Sequence, residues 1–423
     1  MIQQLNTTIH LTILCFILCV SSNGFAQCPI GNVVLNSMDE LNQFYENYPS
    51  CTLLEGSMTV TGEDVWSLLP LASLDTIMGN LELTGIGFLN NFSGLSNLKY
   101  VHGDFKIQNN AFLSNVTGLQ GIHEIGAQLI ISNNPTLTSL NGLNNLDETG
   151  GLKLLSLPSL SQVNALAQLD SIHGDFQIIA ASALANITGL VGLKHVDGHV
   201  SIQNTAVADL ASLNGLTAVG EYFNLNNNPS LVTLGLNGLQ TIGGDLRIKN
   251  HNELQNIDGL AALALIQGDF QLITNPLLEN MLSMDQSVSI SDSVIIVNNP
   301  LLSVCDVMSI CNHFEGSTAG FIDGNASPCA NVKQVINSCL VNDLIEEEQS
   351  FVNIHPNPFN SIFTLQSQSS IDRWELYDMR GVLVSISGNE QGNSQDLSQL
   401  SNGTYIIRIV QTKRSVLQFL IKE

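Results

Sequence analysis

The chain repeats the pentapeptide Gly103-Asp104-Phe105-Lys106-Ile107 in related form at three later points, Gly174-Asp175-Phe176-Gln177-Ile178, Gly244-Asp245-Leu246-Arg247-Ile248 and Gly268-Asp269-Phe270-Gln271-Leu272. When these copies are aligned, one apolar residue, the anchor, stands at the third position of every unit. The anchors are Met58, Leu81, Phe105, Leu129, Leu152, Phe176, Val200, Phe223, Leu246, Phe270 and Val294. Successive anchors are 23 or 24 residues apart. A fixed period of this length is typical of a solenoid, in which each coil buries its apolar face against its neighbours.

Each unit alternates apolar and polar residues from its anchor onward, as a strand with one buried face does. We therefore expect the anchor and the residue two places later to point inward, and the residues one and three places after the anchor to point outward. Asn recurs four places after the anchor, and these side chains are predicted to bond the backbone of neighbouring coils at a turn. They are Asn109, Asn133, Asn204, Asn227, Asn250 and Asn298. A later Gly-Leu pair, as in Gly189-Leu190, begins a second, short apolar segment.

The charge of the chain excludes one class of partner. The 423 residues include 13 Lys and Arg against 37 Asp and Glu, which gives a formal net charge of -24. Thirteen basic residues are too few to form a surface that follows a phosphate backbone. We therefore expect no nucleic-acid binding. The 44% of hydrophobic residues also argues against a disordered acidic chain.

Export is predicted from the amino-terminal end. Ile9 to Val20 form an apolar run that is too short to span a bilayer, and Gly24-Phe25-Ala26 offers a cleavage site, so residues 1–26 read as a signal peptide. No later segment resembles a transmembrane helix. Six cysteines remain and are disulfide candidates in an exported protein: Cys28, Cys51, Cys305, Cys311, Cys329 and Cys339. Cys28 and Cys51 flank a helix that begins at the capping box Ser37-Met38-Asp39-Glu40, while the other four allow three connectivities.

The segment Cys51-Thr52-Leu53-Leu54-Glu55-Gly56-Ser57-Met58-Thr59-Val60, preceded by Cys28 and the capped helix, resembles the opening of a receptor L domain, a leucine-rich-repeat-related module. The resemblance implies a mainly β fold, a right-handed parallel β-solenoid of about eleven coils with short capping helices, over residues 27–340. The array is longer than one such module, so no ligand contact is carried over.

A short acidic linker, 341–350, precedes a tail of alternating strands at 351–423 that is expected to form a small Ig-like β-sandwich. This tail carries His355-Pro356-Asn357-Pro358-Phe359, Tyr377-Asp378 with Arg380-Gly381, Gly403-Thr404-Tyr405 and a terminal Ile421-Lys422. These landmarks resemble the C-terminal sorting domain of type IX secretion substrates. The resemblance implies recognition by the type IX secretion machinery and a secreted or outer-membrane surface location. Its sorting-signal residues would be Pro356, Asn357, Pro358, Gly381, Gly403, Tyr405 and Lys422.

The sequence holds no nucleophile, zinc-protease or phosphate-loop motif, so we expect no catalytic residues, no cofactor and no metal, and we expect the repeated Asp residues to cap turns rather than bind calcium. The predicted outward face gathers most of the basic residues outside the tail. Its candidate ligand-binding residues are Lys106, Lys153, Gln177, Gln203, Asn224, Asn226, Arg247, Lys249 and Gln271. We therefore expect a non-catalytic binding protein or adhesin whose ligand is a polyanionic or hydroxyl-rich glycan or a surface protein. The alternatives are a structural surface-coat component and a polysaccharide-acting β-helix enzyme.

Overall fold

A computed structural model describes residues 28–286, 288–317, 319–345, 352–367, 371–388, 394–411 and 414–423. The predicted signal peptide and residues 346–350 of the predicted linker lie outside these ranges. The chain divides into two compact units, the first ending at Ala330 and the second beginning at Asn331.

The first unit is built on a ladder of parallel strands, called the main ladder here. In the described residues its strands are Val33–Leu35, Met58–Gly62, Leu81–Ile86, Phe105–Gln108, Glu124–Ser132, Glu148–Leu155, Phe176–Ile179, Val200–Gln203, Phe223–Asn226, Leu246–Lys249, Phe270–Ile273, Val294–Val297 and Gly320–Asp323. The predicted anchors pair in register from coil to coil, for example Phe176 with Val200 and Val200 with Phe223. All the anchors, and the residues two places after them, are fully buried. The predicted period and inward face are therefore confirmed, and the fold is a mainly β, parallel solenoid.

A second ladder of short parallel strands runs along another side of each coil. It contains the two-residue strands Leu53–Leu54, Thr76–Ile77, Tyr100–Val101, Ser171–Ile172, His195–Val196, Ala218–Val219, Thr241–Ile242, Leu265–Ile266 and Ser289–Ile290, and the first residues of Glu124–Ser132 and Glu148–Leu155. The second, short apolar segment predicted in each unit forms tight 3-10 turns, and these turns precede the strands of the second ladder. These turns are Leu69–Leu71, Ser93–Leu95, Asn164–Leu166, Thr188–Leu190, Ala211–Leu213, Asp258–Leu260 and Leu282–Met284.

The asparagines that bond the backbone of neighbouring coils lie one residue later than predicted. The residues four places after the anchor are turn residues with a left-handed backbone, and Asn109, Asn133 and Asn204 there are exposed. The next residue points inward: the Nδ2 of Asn134 donates to the carbonyl of Ile107 at 2.9 Å, and its Oδ1 accepts from the backbone N–H of Asn110 at 2.9 Å. Equivalent side chains are Asn110, Asn228, Asn275 and Asn299, all buried. In each Asn-Asn pair the prediction was wrong, because the second asparagine and not the first makes these bonds. The left-handed backbone of the first asparagine turns its side chain to solvent, and the side chain of the second then faces the core.

Helices and disulfides close the ends of the solenoid. Helix α1 (Met38–Asn47) begins after the predicted N-cap Ser37, whose Oγ accepts from the N–H of Glu40, while the carboxylate of Glu40 accepts from the N–H of Asn36. The Cys28–Cys51 disulfide flanks this helix as expected. Near the other end lies α2 (Met308–Gly316), and Cys305 pairs with Cys329. Cys311 and Cys339 are each in a disulfide as well.

The second unit contains α3 (Val332–Ile345) and two antiparallel sheets. The helix extends into the segment predicted as a linker. One sheet is formed by Val352–His355, Ile362–Ser367 and Ser394–Asp396, and the other by Ile371–Asp378, Leu383–Gly388, Gly403–Gln411 and Arg414–Lys422. Side chains of both sheets, including Phe363, Trp374 and Ile407, share one buried core, so this part of the chain is a small β-sandwich. No helix within the described residues is long and apolar enough to cross a membrane.

Candidate functional site

The predicted ligand-binding residues lie together on the outward face of the main ladder. One column of paired residues runs through Lys106, Ile130, Lys153, Gln177, Ser201, Asn224, Arg247 and Gln271. A second column runs through Gln203, Asn226 and Lys249. These nine candidate residues are half-buried, which is what a flat sheet surface of adjacent side chains produces. The structure thus brings the predicted site residues onto one surface.

This face is charge-compensated rather than basic. The residue before each anchor also points outward, because side chains two places apart share one face of a strand. That column holds Asp104, Asp175, Asp245 and Asp269. Lys106 pairs with Asp104 at 3.4 Å, Lys153 with Asp175 at 3.3 Å, and Arg247 with Asp245 at 2.6 Å. Because this acidic column lies on the same face, the positive surplus expected from the columns one and three places after the anchors is not present.

The same aspartates also hold neighbouring coils together. The Oδ1 of Asp104 accepts from the backbone N–H of Gln128, and the Oδ1 of Asp245 accepts from that of Asp269. The Oδ1 of Asp269 in turn accepts from the N–H of Ser293. In Asp104, Asp245 and Asp269 one carboxylate oxygen therefore serves the backbone, in agreement with the expectation that these residues cap turns.

Amide side chains form a hydrogen-bonded lattice across the middle of the face. The Nδ2 of Asn224 donates to the Oγ of Ser201 at 3.1 Å, and the Nε2 of Gln203 donates to the same oxygen at 2.7 Å. The Nδ2 of Asn226 donates to the Oε1 of Gln203 at 3.3 Å. Such mutual bonds hold each amide in one orientation and lower the entropy that a bound ligand would otherwise remove.

Beside this lattice, three planar groups stack across adjacent coils. The ring of His199 lies 4.3 Å from that of Tyr222 with the planes 15° apart, and the guanidinium of Arg247 lies 4.9 Å from the Tyr222 centroid. Arg247 is in turn held by Asp245 through Nε and a terminal nitrogen. Burial, and then the positive charge of Arg247, lower the pKa of the neighbouring Lys249.

His199 also brings two carboxylates together. Its Nδ1 lies 2.9 Å from the Oδ1 of Asp175 and 3.7 Å from the Oε2 of Glu221, and its Nε2 lies 2.6 Å from the Nε2 of Gln177. The ligand atoms of Asp175, His199 and Glu221 lie within 4.8 Å of one another. The predicted site rests on the residues one and three places after each anchor and therefore does not include this group. The signal was in the columns one and two places before the anchors of three successive units.

In the tail, the predicted sorting-signal residues converge on one end of the sandwich although they are dispersed along the sequence. The exposed loop Pro356-Asn357-Pro358 is fixed to the last strand, because the Nδ2 of Asn357 donates to the carbonyl of Phe419 at 2.7 Å and its Oδ1 accepts from the N–H of Ile421 at 2.8 Å. Gly403 pairs with Lys422 at the same end. Gly381 lies in an exposed turn with a left-handed backbone, after the strand that pairs Asp378 with Tyr405.

Two of these residues are internal supports. Lys422 is only 5% exposed, and its Nζ donates to the carbonyls of Leu397, Ser398 and Leu400 at 2.8, 2.9 and 2.6 Å. The hydroxyl of Tyr405, which is also buried, donates to the carbonyl of Ser401 at 2.8 Å. Lys422 and Tyr405 therefore belong to the motif because they support the fold of the domain.

Comparison with protein families identifies this unit. Residues 353–423 match the family described as the secretion system C-terminal sorting domain. The tail is a type IX sorting domain. It is recognised by the type IX secretion machinery, and it implies export to the cell surface or the extracellular space. No curated protein matches the chain.

Proposed function

We propose that the protein is a non-catalytic, secreted or surface-attached binding protein, an adhesin whose solenoid recognises a hydroxyl-rich glycan on the outward face of the main ladder. The solenoid itself resembles leucine-rich-repeat-related receptor L domains, and we propose that it is a member of that class. The observation that carries the proposal is the lattice of fixed amides around Ser201, next to the stacked His199 and Tyr222 rings.

The chemistry of this surface favours a neutral glycan over a polyanion. Asn and Gln side chains offer donors and acceptors to sugar hydroxyls, and beside them lies the edge of the Tyr222 ring, whose faces are covered by His199 and Arg247. The basic residues Lys106, Lys153 and Arg247 are each paired with an aspartate, so a polyanion would have to compete with these carboxylates.

One observation favours the enzyme alternative. Asp175, His199 and Glu221 bring a base and two acids together on adjacent coils, which polysaccharide cleavage requires. However, the Nε2 of His199 faces the amide of Gln177, and the residue is only 8% exposed. Neither ring nitrogen of His199 is directed at solvent, so the ring is not placed to transfer a proton to a substrate. We therefore retain binding as the proposed function.

The test is a glycan-array and whole-cell binding assay on the purified full chain. The double variant Asn224→Ala/Gln271→Ala and the double variant Arg247→Ala/Lys249→Ala remove polar groups from the proposed face. The matched control Lys99→Ala/Lys194→Ala removes two lysines that extend beside the second ladder and pair there with Asp75 and Asp170.

We expect both face variants to weaken binding at least tenfold, about 1.4 kcal/mol, and the control to bind like the unaltered protein. Equal losses in all three variants would contradict recognition by this face. If the unaltered protein shows no saturable binding, the surface-coat alternative is favoured, and release of shortened oligosaccharides would favour the enzyme.

A further inference from the structure

We propose that Asp175, His199 and Glu221 form a binding site for a divalent transition-metal ion such as Zn²⁺. The three residues come from three successive coils, so the site exists only in the folded solenoid. This proposal is independent of the glycan ligand proposed above.

The geometry around one ring nitrogen supports a metal. The Nδ1 of His199 lies 2.9 Å from Asp175 and 3.7 Å from Glu221. For zinc bound at about 2.0–2.1 Å, neighbouring ligand atoms of a tetrahedron are about 3.4 Å apart. The two observed distances lie on either side of this value, so small rotations of the two carboxylates would complete three vertices. The side chains of Asp175 and Glu221 are 28% and 62% exposed, so water can reach the site from the carboxylate side and supply a fourth ligand.

The surrounding side chains hold the histidine in the orientation that a metal ligand needs. Gln177 contacts the Nε2 and Tyr222 stacks on the ring, so the Nδ1 edge is turned toward the two carboxylates. Lys153 lies 3.3 Å from the Oδ2 of Asp175, and the Oδ1 of the same carboxylate is the atom directed at His199. With a metal ion at Nδ1 the Nε2 carries the proton, so the amide of Gln177 must turn to present its Oε1 as the acceptor. A ligating histidine regularly donates its second ring N–H to such an acceptor, which fixes the ring.

The donor set indicates which ion is bound. One imidazole nitrogen with two carboxylates suits a first-row transition ion, whereas calcium prefers six to eight oxygen ligands. Two carboxylates also balance the charge of a divalent ion.

A second histidine in the same protein provides the comparison. His173 also lies between two acids, but its Nδ1 faces Asp197 at 3.2 Å while its Nε2 faces Glu148 at 3.7 Å. The two carboxylates therefore lie at different nitrogens of the ring and do not converge on one point. His173 is a matched control, with the same residue types but the wrong geometry.

The experiment is isothermal titration of the untagged, chelator-treated full chain with ZnCl₂ and, separately, with CaCl₂. We expect one Zn²⁺ per chain, no comparable Ca²⁺ binding, and a rise of the thermal unfolding midpoint with Zn²⁺. Glu221→Gln, at a side chain that is 62% exposed, and His199→Gln should each lower the Zn²⁺ affinity at least tenfold, while His173→Gln should not change it.

Substitution of Co²⁺ for Zn²⁺ adds a spectroscopic readout, since a tetrahedral nitrogen and oxygen site gives visible absorption that Glu221→Gln should remove. The proposal is overturned if the unaltered chain binds no stoichiometric Zn²⁺, if the affinity is unchanged in folded Glu221→Gln, or if His173→Gln abolishes binding.

Discussion

His251 occupies the buried position that asparagine fills in neighbouring coils, between Asn228 and Asn275. The backbone N–H of Asn228 donates to its Nδ1 at 3.3 Å, and its own N–H donates to the Oδ1 of Asn275 at 3.1 Å. The ring is fully buried, and within the described residues its Nε2 has no hydrogen-bond partner. Because burial disfavours the charged form, the pKa of His251 is lowered to about 4.

This shift makes the stability of the solenoid depend on pH. The unfolded chain binds a proton at His251 near pH 6.5, whereas the folded chain binds it only near pH 4. The free energy of unfolding contributed by this residue is therefore fully present above about pH 6.5 and is lost as the pH falls toward 4. Between pH 7.5 and 4.5 the loss is about 2–3 kcal/mol.

We expect His251→Asn, which restores the usual ladder residue, to reduce this acid sensitivity. Denaturant unfolding of both proteins at pH 7.5 and 4.5 measures it. The variant should lose about 2–3 kcal/mol less than the unaltered protein over this interval, while other acid-titrating groups affect both proteins equally. Equal losses in the two proteins would show that His251 is not the responsible group.

At the scale of the element, the turn after each main-ladder strand joins two adjacent residues with opposite tasks. Asn133 adopts a left-handed backbone, with φ 54°, and is exposed, while Asn134 is buried and bonds to the coils on both sides. Asn134→Ala leaves a buried carbonyl of Ile107 and a buried N–H of Asn110 without this partner. We expect it to lower the free energy of unfolding by about 2–4 kcal/mol.

The matched control for this prediction is Asn133→Gly, since glycine accepts a left-handed backbone without strain and the Asn133 side chain is exposed. Its effect should be within about 0.5 kcal/mol. Chemical denaturation at pH 7.5 compares the two variants. A larger loss for Asn133→Gly than for Asn134→Ala would restore the original interpretation, in which the first Asn of the pair carries the inter-coil bonds.

The sequence predicts some elements of the solenoid and not others. Anchors such as Phe105 and Phe176 were located correctly because burial at a fixed period leaves a pattern that any alignment of the units detects. The second ladder was not predicted, since two-residue strands are too short to show an alternation. The His199 group was missed for a different reason: its three members come from three coils and two columns, and only the three-dimensional register brings them within bonding distance.

At the scale of the whole molecule, the chain combines two units with separate tasks. The solenoid unit carries the outward face of the main ladder, and the proposed binding and metal sites lie there. The second unit carries the sorting domain of residues 353–423, which directs export. Because the export signal is a folded domain with its own core, the efficiency of export should depend on the stability of that core.

Lys422 provides a test of this dependence of export on the stability of the sorting domain. Its ammonium group donates to the carbonyls of Leu397, Ser398 and Leu400 in a site with almost no solvent contact. Lys422→Ala removes three charge-assisted hydrogen bonds, and we expect it to destabilise the sorting domain by about 2–4 kcal/mol. Immunoblots of the medium, the cell surface and the cell interior should then show less exported protein and more retained protein.

The control for this prediction is Asn353→Ala, an exposed position on the first strand of the same domain, which should leave both stability and export unchanged. Thermal unfolding of the purified full-length variants separates two roles for Lys422. A support role requires that export and domain stability fall together, because the ammonium group is turned away from any partner outside the domain. Loss of export with an unchanged unfolding midpoint would instead make Lys422 a contact of the secretion machinery and contradict the burial argument.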